Sequence, residues 1–462
     1  MRNSALAKAL FAAFLAAALV IPLQMIRSLV DERQQRRDAA IAEVTEKWGG
    51  AQTIAGPMLT VPYRVTRPDK DGVARTTIDR AQLLPDRLKI EGTLTPSVRH
   101  RGIFEVVLYR LDVAAAGSFP PLDPRSLGIA PEDVLFSDAV LSVGLTDTRG
   151  IKSRLEVKWD GTAVAFRPGP GGNPLFDAGV HAPIAGLDVR PGPHSFAFSL
   201  TLQGSQTLSL APLGVETDVS LRSPWPHPSF VGAFLPETRT VAASGFSASW
   251  RVSHFGRSYA QQWRLGAGGA EDASARIGKS TFGVALFLPA DNYQQSTRAL
   301  KYAVLFIVLT FGAFFLFEVF GELALHPLQY LLVGLALSLF YLLLLSISEH
   351  VRFGAAYAAA AAATVLVVTG YCAAILGRRS RAAVIAGLLA GLYGYLFVLL
   401  RVEDYALLMG AAALFVILAA VMYLTRHVDW YLASSQPPAP PRPDAPPAPP
   451  IPRVPPVMMP FR

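Results

Sequence analysis

The stretch "LHPLQYLLVGLALSLFYLLLLSISEH", Leu325 to His350, decides the fold. From Leu328 to Ile347 it carries no formal charge, and about 20 apolar residues in a row are what an α-helix needs to cross a bilayer. Its ends are polar, with His326-Pro327 before the run and Glu349-His350 after it. A proton path, a metal site and the two points where a helix leaves the membrane all remain open readings of those ends.

The rest of the chain repeats the pattern. It is 52% hydrophobic and 16% charged, against a charged share of about 25% in ordinary globular proteins. The apolar excess sits in one segment near the start and in a block from about Leu300 to Leu424. Membrane spans are expected at Ala9 to Ile26, Leu300 to Phe320, Leu328 to Ile347, Gly354 to Leu376, Ala382 to Leu400 and Tyr405 to Leu424. Arg2 and Lys8 ahead of the first span, with "AAA" at Ala16 to Ala18, also fit a signal peptide. The apolar run continues through "LVIPLQMI", which favours an uncleaved anchor.

Positive residues set the expected orientation. With the N-terminus cytoplasmic, the cytoplasmic side receives Arg2, Lys8, "RRSR" at Arg378 to Arg381, and Arg426 with the tail. The short outer loops hold Arg352 and Arg401, the asymmetry of the positive-inside rule. The formal charge of +8 comes from Lys and Arg scattered mainly beside apolar spans, which excludes a nucleic-acid partner and makes the lipid bilayer the first one. Cys372, the single cysteine, lies inside a span, so no intramolecular disulfide can form.

The long outer segment changes period. "SLVDERQQRRDAAIAEVTEKW" places Ile41, Val44 and Trp48 at helical spacing, which predicts a helix continuing out of the first span. Beyond it, Leu155, Val157 and Trp159 alternate, Asp160-Gly161 supplies a tight turn, and Thr162 to Phe166 returns. A second hairpin is expected from Phe196, Phe198, Leu200 and Leu202, turned by "QGSQ" and answered by Leu208 and Leu210. Strand-like runs begin also at Met58, Phe104, Val140, Val215, Phe246 and Phe282. The fold class is therefore a membrane α-helical bundle plus a β-rich, antiparallel sandwich-like periplasmic domain. Its expected parts are an anchor over 1–27, the β-rich domain with its leading helix over 28–297, a five-helix bundle over 298–431 and a Pro-rich, disordered cytoplasmic tail over 432–462.

Ionisable residues form two groups on this topology. Glu318, Glu322 and His326 are spaced i, i+4 and i+8 at the inner face, where ion pairing, a proton or substrate site and a metal are all conceivable. Pro327 and the lack of a second histidine weigh against zinc. At the outer face stand Glu349, His350, Arg401, Glu403 and Asp404, with Arg352, Arg298 and Lys301 nearby. Structural pairing and a titrating site beneath the outer domain both fit them, and His350 is the residue suited to pH sensing. In the outer domain "SPWPHPSFVGAFLPETR", Ser223 to Arg239, offers Trp225 and His227 as a periplasmic contact beside the plainer reading of packing. "GPGGNP" at Gly169 lacks the lysine of a phosphate loop and reads as a turn. No hydrolase motif, cofactor motif or complete metal set occurs.

Longer strings resemble a family. "SPWPHPSFVGAFLP", "STRALKYAVLFIVLTFGAFFLFE", the opening stretch and "VEDYALLMGAAALFVILAAVMYLTRHVDWY" look like the CreD family of bacterial inner-membrane proteins, and "WGGAQTIAGPMLTVPY" and "DTRGI" at Asp147 to Ile151 agree with its outer region. The resemblance covers nearly the whole chain up to Tyr431. It implies one N-terminal span, a periplasmic β-rich domain, a C-terminal helical bundle and a role in cell-envelope integrity, within a regulon under two-component control. It brings no catalytic residues with it. The expected function is thus a non-enzymatic envelope protein whose outer domain binds a wall component or an envelope protein. A proton-coupled transporter and a membrane-embedded enzyme are the alternatives, the first disfavoured by span middles made mostly of Leu, Ala, Val and Phe.

Overall fold

Proline at position 22 explains the first feature of the chain. It has no N–H to give the Ala18 carbonyl, and its ring crowds that oxygen. The N-terminal helix is interrupted at Leu19, between α1 (Ala5–Ala18) and α2 (Val20–Trp48). Backbone bonds from Leu19 to Leu15 (3.0 Å) and from Leu23 to Leu19 (3.4 Å) carry the helix through the break. The expected extension beyond the first span is therefore present, as one helical run over Leu10–Trp48.

The computed structural model describes residues 5–68, 73–185, 187, 192–265, 269–288, 292–321, 325–375, 379–402 and 405–426. The elements that follow are β1 (Gln52–Pro68), β2 (Ala74–Leu83), β3 (Arg87–Arg101), β4 (Phe104–Phe119), β5 (Val140–Leu145), β6 (Glu156–Trp159), β7 (Thr162–Ala165), β8 (Arg167–Pro168) and β9 (Gly179–Pro183). Next come β10 (His194–Ser205), β11 (Thr207–Leu210), β12 (Glu216–Ser223), β13 (Pro228–Gly232), β14 (Thr238–Ala242), β15 (Gly245–Ser253), β16 (Gln262–Leu265), α3 (Gly269–Lys279) and β17 (Phe282–Leu286). The chain closes with α4 (Asn292–Lys301), α5 (Ala303–Gly321), α6 (Pro327–Ser348), α7 (Phe353–Ile375), α8 (Arg379–Arg401) and α9 (Ala406–Thr425).

Two compact units result. One comprises Ser28–Gln294 together with Ser348–Phe353, the other Met1–Arg27, Gln295–Ile347 and Gly354–Arg462. In the first, the described strands form two sheets, ordered β13-β17-β11-β1-β5-β9-β8, with β2 on β1 and β16 on β2, and β14-β15-β12-β3-β4-β10-β6-β7. Neighbours are antiparallel apart from β1–β11 and β3–β12, which run parallel, so the sheets are mixed rather than purely antiparallel. Alternation is visible in β3, where Leu88, Ile90 and Leu94 are buried and Lys89, Glu91 and Thr93 are exposed. The two sheets share one core. Phe230 of β13 meets Trp250 of β15 edge-on at 5.8 Å, Trp250 lies 5.5 Å from Phe282 of β17, and the Tyr109 hydroxyl of β4 donates to the Thr207 carbonyl of β11 at 2.8 Å. Each fully buried Leu or Phe in such a core stabilises it by about 1.5–3 kcal/mol.

The expected β6–β7 hairpin is formed, with Asp160 (φ 46°) and Gly161 (φ 83°) both left-handed, as a two-residue turn matched to strand twist requires. The second expected hairpin is not. β10 pairs with β4 and β6 in one sheet, whereas β11 pairs with β1 and β17 in the other. Gln206, at φ 57°, redirects the chain between sheets, and its carbonyl accepts from Leu286 N–H at 2.7 Å instead of closing a hairpin ladder. The Pro-rich string at 223–239 gives β13, an edge strand, where prolines are tolerated. Gly169, Gly171 and Gly172 all take positive φ, so "GPGGNP" is a turn.

The helical unit presents apolar side chains outward, among them Leu366, Leu407 and Phe415, each more than 70% exposed. Outward-facing Leu, Val and Phe over whole helices suit a hydrocarbon solvent rather than water. Among the described residues four helices are long and apolar enough to span a bilayer: Leu10–Trp48, Pro327–Ser348, Phe353–Ile375 and Arg379–Arg401. The pair Asn292–Lys301 and Ala303–Glu318, bent by 41°, makes a fifth if taken as one span. The sixth expected span is an apolar helix whose qualifying part, Leu407–Tyr423, is shorter. Inside the unit, Leu19 packs into the space left by Gly334, and any β-carbon there would collide with it. The expected tail, 432–462, lies outside the described residues.

Candidate functional site

Arg33 and Arg37 lie one turn apart on α2, so both side chains leave the same face of the helix. Tyr293 stands in the first turn of α4, and Glu349 follows the last residue of α6. All four belong to the β-rich unit and meet. The Tyr293 hydroxyl donates to Glu349 Oε1 at 3.1 Å, Arg33 Nε approaches the same oxygen at 3.7 Å, and the Arg37 guanidinium lies 5.7 Å from the centre of the Tyr293 ring. Asn292 Nδ2 donates to the Ser348 carbonyl at 2.5 Å. The Glu349 side chain is only 10% exposed while Arg33 is 36% exposed, so the carboxylate is the inner member of a half-buried pair. Three chain segments distant in sequence are thereby tied at one point. A group of this kind can hold an arrangement of helices, or release it when the carboxylate loses a partner.

The expected outer-face residues do not all join this point. His350 is exposed. Arg401 belongs to the helical unit, where its guanidinium stacks over the Phe397 ring at 4.6 Å. Glu403 and Asp404 lie outside the described residues. Hydropathy alone assigns 348–353 to the bundle, and it contains no signal that this loop is shared with the β-rich unit. The sequence signal for Arg33 and Arg37 is their four-residue spacing on a juxtamembrane helix. Tyr293 carried none.

The inner-face reading is corrected in one respect. α5 ends at Gly321 and α6 starts at Pro327, so Glu318 and His326 do not share a helical face. Glu318 is buried and accepts from the Tyr330 hydroxyl at 3.2 Å. His326 is exposed and caps α6: its Nδ1 accepts from Leu328 N–H at 3.2 Å, and its own N–H donates to Gln329 Oε1 at 2.9 Å. Glu322 lies outside the described residues. Among the described residues no group of three or more His, Cys, Asp or Glu is arranged to hold a metal.

At the other candidate contact, Trp225 packs against the core and its Nε1 donates to the carbonyls of His227 (3.1 Å) and Phe287 (3.2 Å), which anchors the Pro-rich edge. His227 itself is exposed.

A third constellation joins two of the strings on which the family resemblance rests. Where α2 gives way to β1, the Gln52 side chain, 1% exposed, donates to the Asp147 and Gln203 carbonyls at 3.0 Å each and accepts from Asp147 N–H at 3.2 Å. Gly50 N–H and three groups of Arg149 donate to the Asp147 carboxylate. These bonds, chiefly those from the Arg149 side chain, hold the Asp147 carboxyl below the usual carboxylate range. Gly49 and Gly150 both face the Gln203 carbonyl, leaving no room for a β-carbon. "WGGAQ" and "DTRG" are thus two halves of one joint, which fixes how the long helix enters the sheet.

The family model described as "Inner membrane protein CreD" matches residues 4–431. The inner membrane protein CreD of Escherichia coli (strain K12) is 36% identical over 427 residues, covering 90% of this chain and 91% of that protein. Among solved structures, two of an M1 zinc metallopeptidase from Deinococcus radiodurans, one a mutant bound to a Tyr-Ser-Ala substrate, align at TM-scores of 0.17 and 0.18. Their identities are 12% and 10%, over 37% of this chain and 39% and 38% of theirs, and a likeness that low carries no argument.

Proposed function

Since this chain belongs to the CreD family of inner membrane proteins, we propose that it is a non-enzymatic, multi-pass protein serving cell-envelope integrity, with its β-rich unit periplasmic and both termini cytoplasmic. That unit binds an envelope component, a wall polymer or an envelope protein, and the apolar helices anchor it. The observation that carries the reading is the Arg33–Tyr293–Glu349 joint. It ties the end of α6 to the two helices that flank the β-rich domain in sequence, so a ligand that displaces α2 or α4 alters the loop leading into α7. The positive-inside distribution supports the orientation, and exposed His227 beside the anchored Trp225 is the proposed contact on the domain.

The experiment is complementation in a bacterium lacking its own copy, challenged with an envelope-damaging detergent. The wild-type chain restores resistance. Tyr293→Phe combined with Glu349→Gln inserts at the normal level and restores little. Full restoration by that variant removes the joint from the reading, and full restoration by a chain lacking the β-rich domain removes the proposed binding role.

A further inference from the structure

Around the middle of β3 and β12, charges on the outer face of the eight-stranded sheet are paired. Lys89 meets Glu91 at 2.7 Å, Arg251 of β15 donates to Asp218 at 3.0 Å, and Asp112 of β4 accepts from Arg110 at 3.1 Å and from Thr201 at 2.7 Å. Arg222, exposed near the end of β12, is left out. Among the described residues it makes no hydrogen bond and no ion pair, and the acid nearest along β3, Glu91, is held by Lys89.

The side chains beside Arg222 are hydroxyls. Thr93 of β3 lies opposite Arg222, Arg222 opposite Ser247 of β15, and Ser247 opposite Thr240 of β14. All four are exposed, so one polar row crosses four strands on a single face. At about 4.8 Å per strand the row is about 14 Å long. It lines an open groove of about 430 Å³, a volume typical of small-ligand sites. One end of the groove is closed where the β14–β15 turn meets Pro224. Gly245 allows that approach: at φ 132° its backbone lies against the Ser223 carbonyl, and a β-carbon would overlap it. Ser244 in the turn adds a further hydroxyl. Among the described residues that line the groove there is no acid and no second cation, and the Phe246 ring points into the core.

We infer that this groove binds one residue of an acidic sugar, with the ligand's carboxylate on the Arg222 guanidinium and its ring hydroxyls bonded to Thr93, Ser247 and Thr240. A guanidinium offers parallel N–H donors that match the two oxygens of a carboxylate. Hydroxyls both donate and accept, as the hydroxyls of a sugar do, whereas a peptide brings few of them. One positive charge balances a carboxylate and leaves a phosphate monoester, which carries nearly two negative charges at neutral pH, only partly compensated. The inference rests on the reading of the β-rich unit as the part that binds an envelope component, and it supplies the chemical class of that component.

The test is saturation-transfer NMR on the full-length protein in lipid nanodiscs, with glucuronate as the probe. Glucuronate receives saturation from the protein. Glucose, which lacks the charge, and acetate, which lacks the hydroxyls, each receive about a tenth as much, and glucose 6-phosphate and tri-alanine also receive less than glucuronate. Arg222→Gln lowers the glucuronate signal about tenfold, while Arg251→Gln, which removes the same charge from a paired position on the same face, leaves it unchanged. An unaltered signal in Arg222→Gln or an equal fall in Arg251→Gln overturns the site. So does a signal from any of the other four probes that equals or exceeds that of glucuronate, a comparison made on the wild-type chain and independent of variant folding. If glucuronate fails to bind while a chain lacking the β-rich domain still fails to restore detergent resistance, this inference falls and the broader reading stands.

Discussion

Gln52 shows how a single side chain can determine a junction. Its amide spans two carbonyls and one N–H that no strand ladder reaches. Gln52→Ala leaves buried acceptors unmade and lowers the stability of the β-rich unit by about 1–3 kcal/mol, read as a shift in its urea midpoint. Asp147 adds a pH signature. Its carboxyl titrates lower in the folded chain than in the unfolded one, so its stabilising contribution is present above the ordinary aspartate value of about 3.9 and is lost as pH falls through the folded value. Unfolding followed from pH 6 to pH 2 shows that acid loss in the wild-type chain and a flatter profile in Asp147→Asn; identical profiles would remove the residue from the joint. The strings holding Gln52 and Asp147 were legible as family marks, but nothing in their spacing revealed that they touch, because the contact spans 95 positions.

Elements with a strict period were legible, and elements set by a long-range choice were not. The turn at Asp160-Gly161 could be read from two residues, and Gly161→Ala at φ 83° costs about 1 kcal/mol, measurable as a lower melting temperature with the fold retained. By the same local logic "QGSQ" implied a hairpin, yet the chain changes sheets there. Local alternation is identical whether a strand returns beside its predecessor or crosses to the facing sheet, and only the partners β1 and β17 distinguish the outcomes. β2 and β3 are masked in the sequence because their outer positions are charged and their tips exposed. The helices were plain from hydropathy, because long uncharged apolar runs need no distant partner to be recognised.

At the scale of the whole molecule, orientation is the property most open to test. With Cys372→Ala as background, Ala243→Cys in the turn after β14 is labelled by a membrane-impermeant maleimide in intact spheroplasts, and Ser380→Cys only after lysis. Both labelled from one side would refute the proposed topology. The joint makes a second prediction: Tyr293→Phe and Glu349→Gln are non-additive, with a coupling of about 0.5–1.5 kcal/mol in a double-mutant cycle. Additive effects would show that the 3.1 Å bond is not maintained in solution. The candidate outer group was half legible, since Glu349 was marked by its place after a span while its partners came from segments 56 and 316 positions earlier (349 − 293 and 349 − 33).

The loop at 348–353 also sets a timetable. A ribosome delivers this chain from its N-terminus, and domains generally fold as they emerge. The β-rich unit, however, counts Ser348–Phe353 among its own residues. After Gln294 is made, α5 and α6 must still be synthesised before Glu349 exists to meet Arg33 and Tyr293. The sandwich therefore closes its last joint only after two more helices have left the ribosome, and a chain stalled before residue 348 displays a β-rich unit with that corner still open.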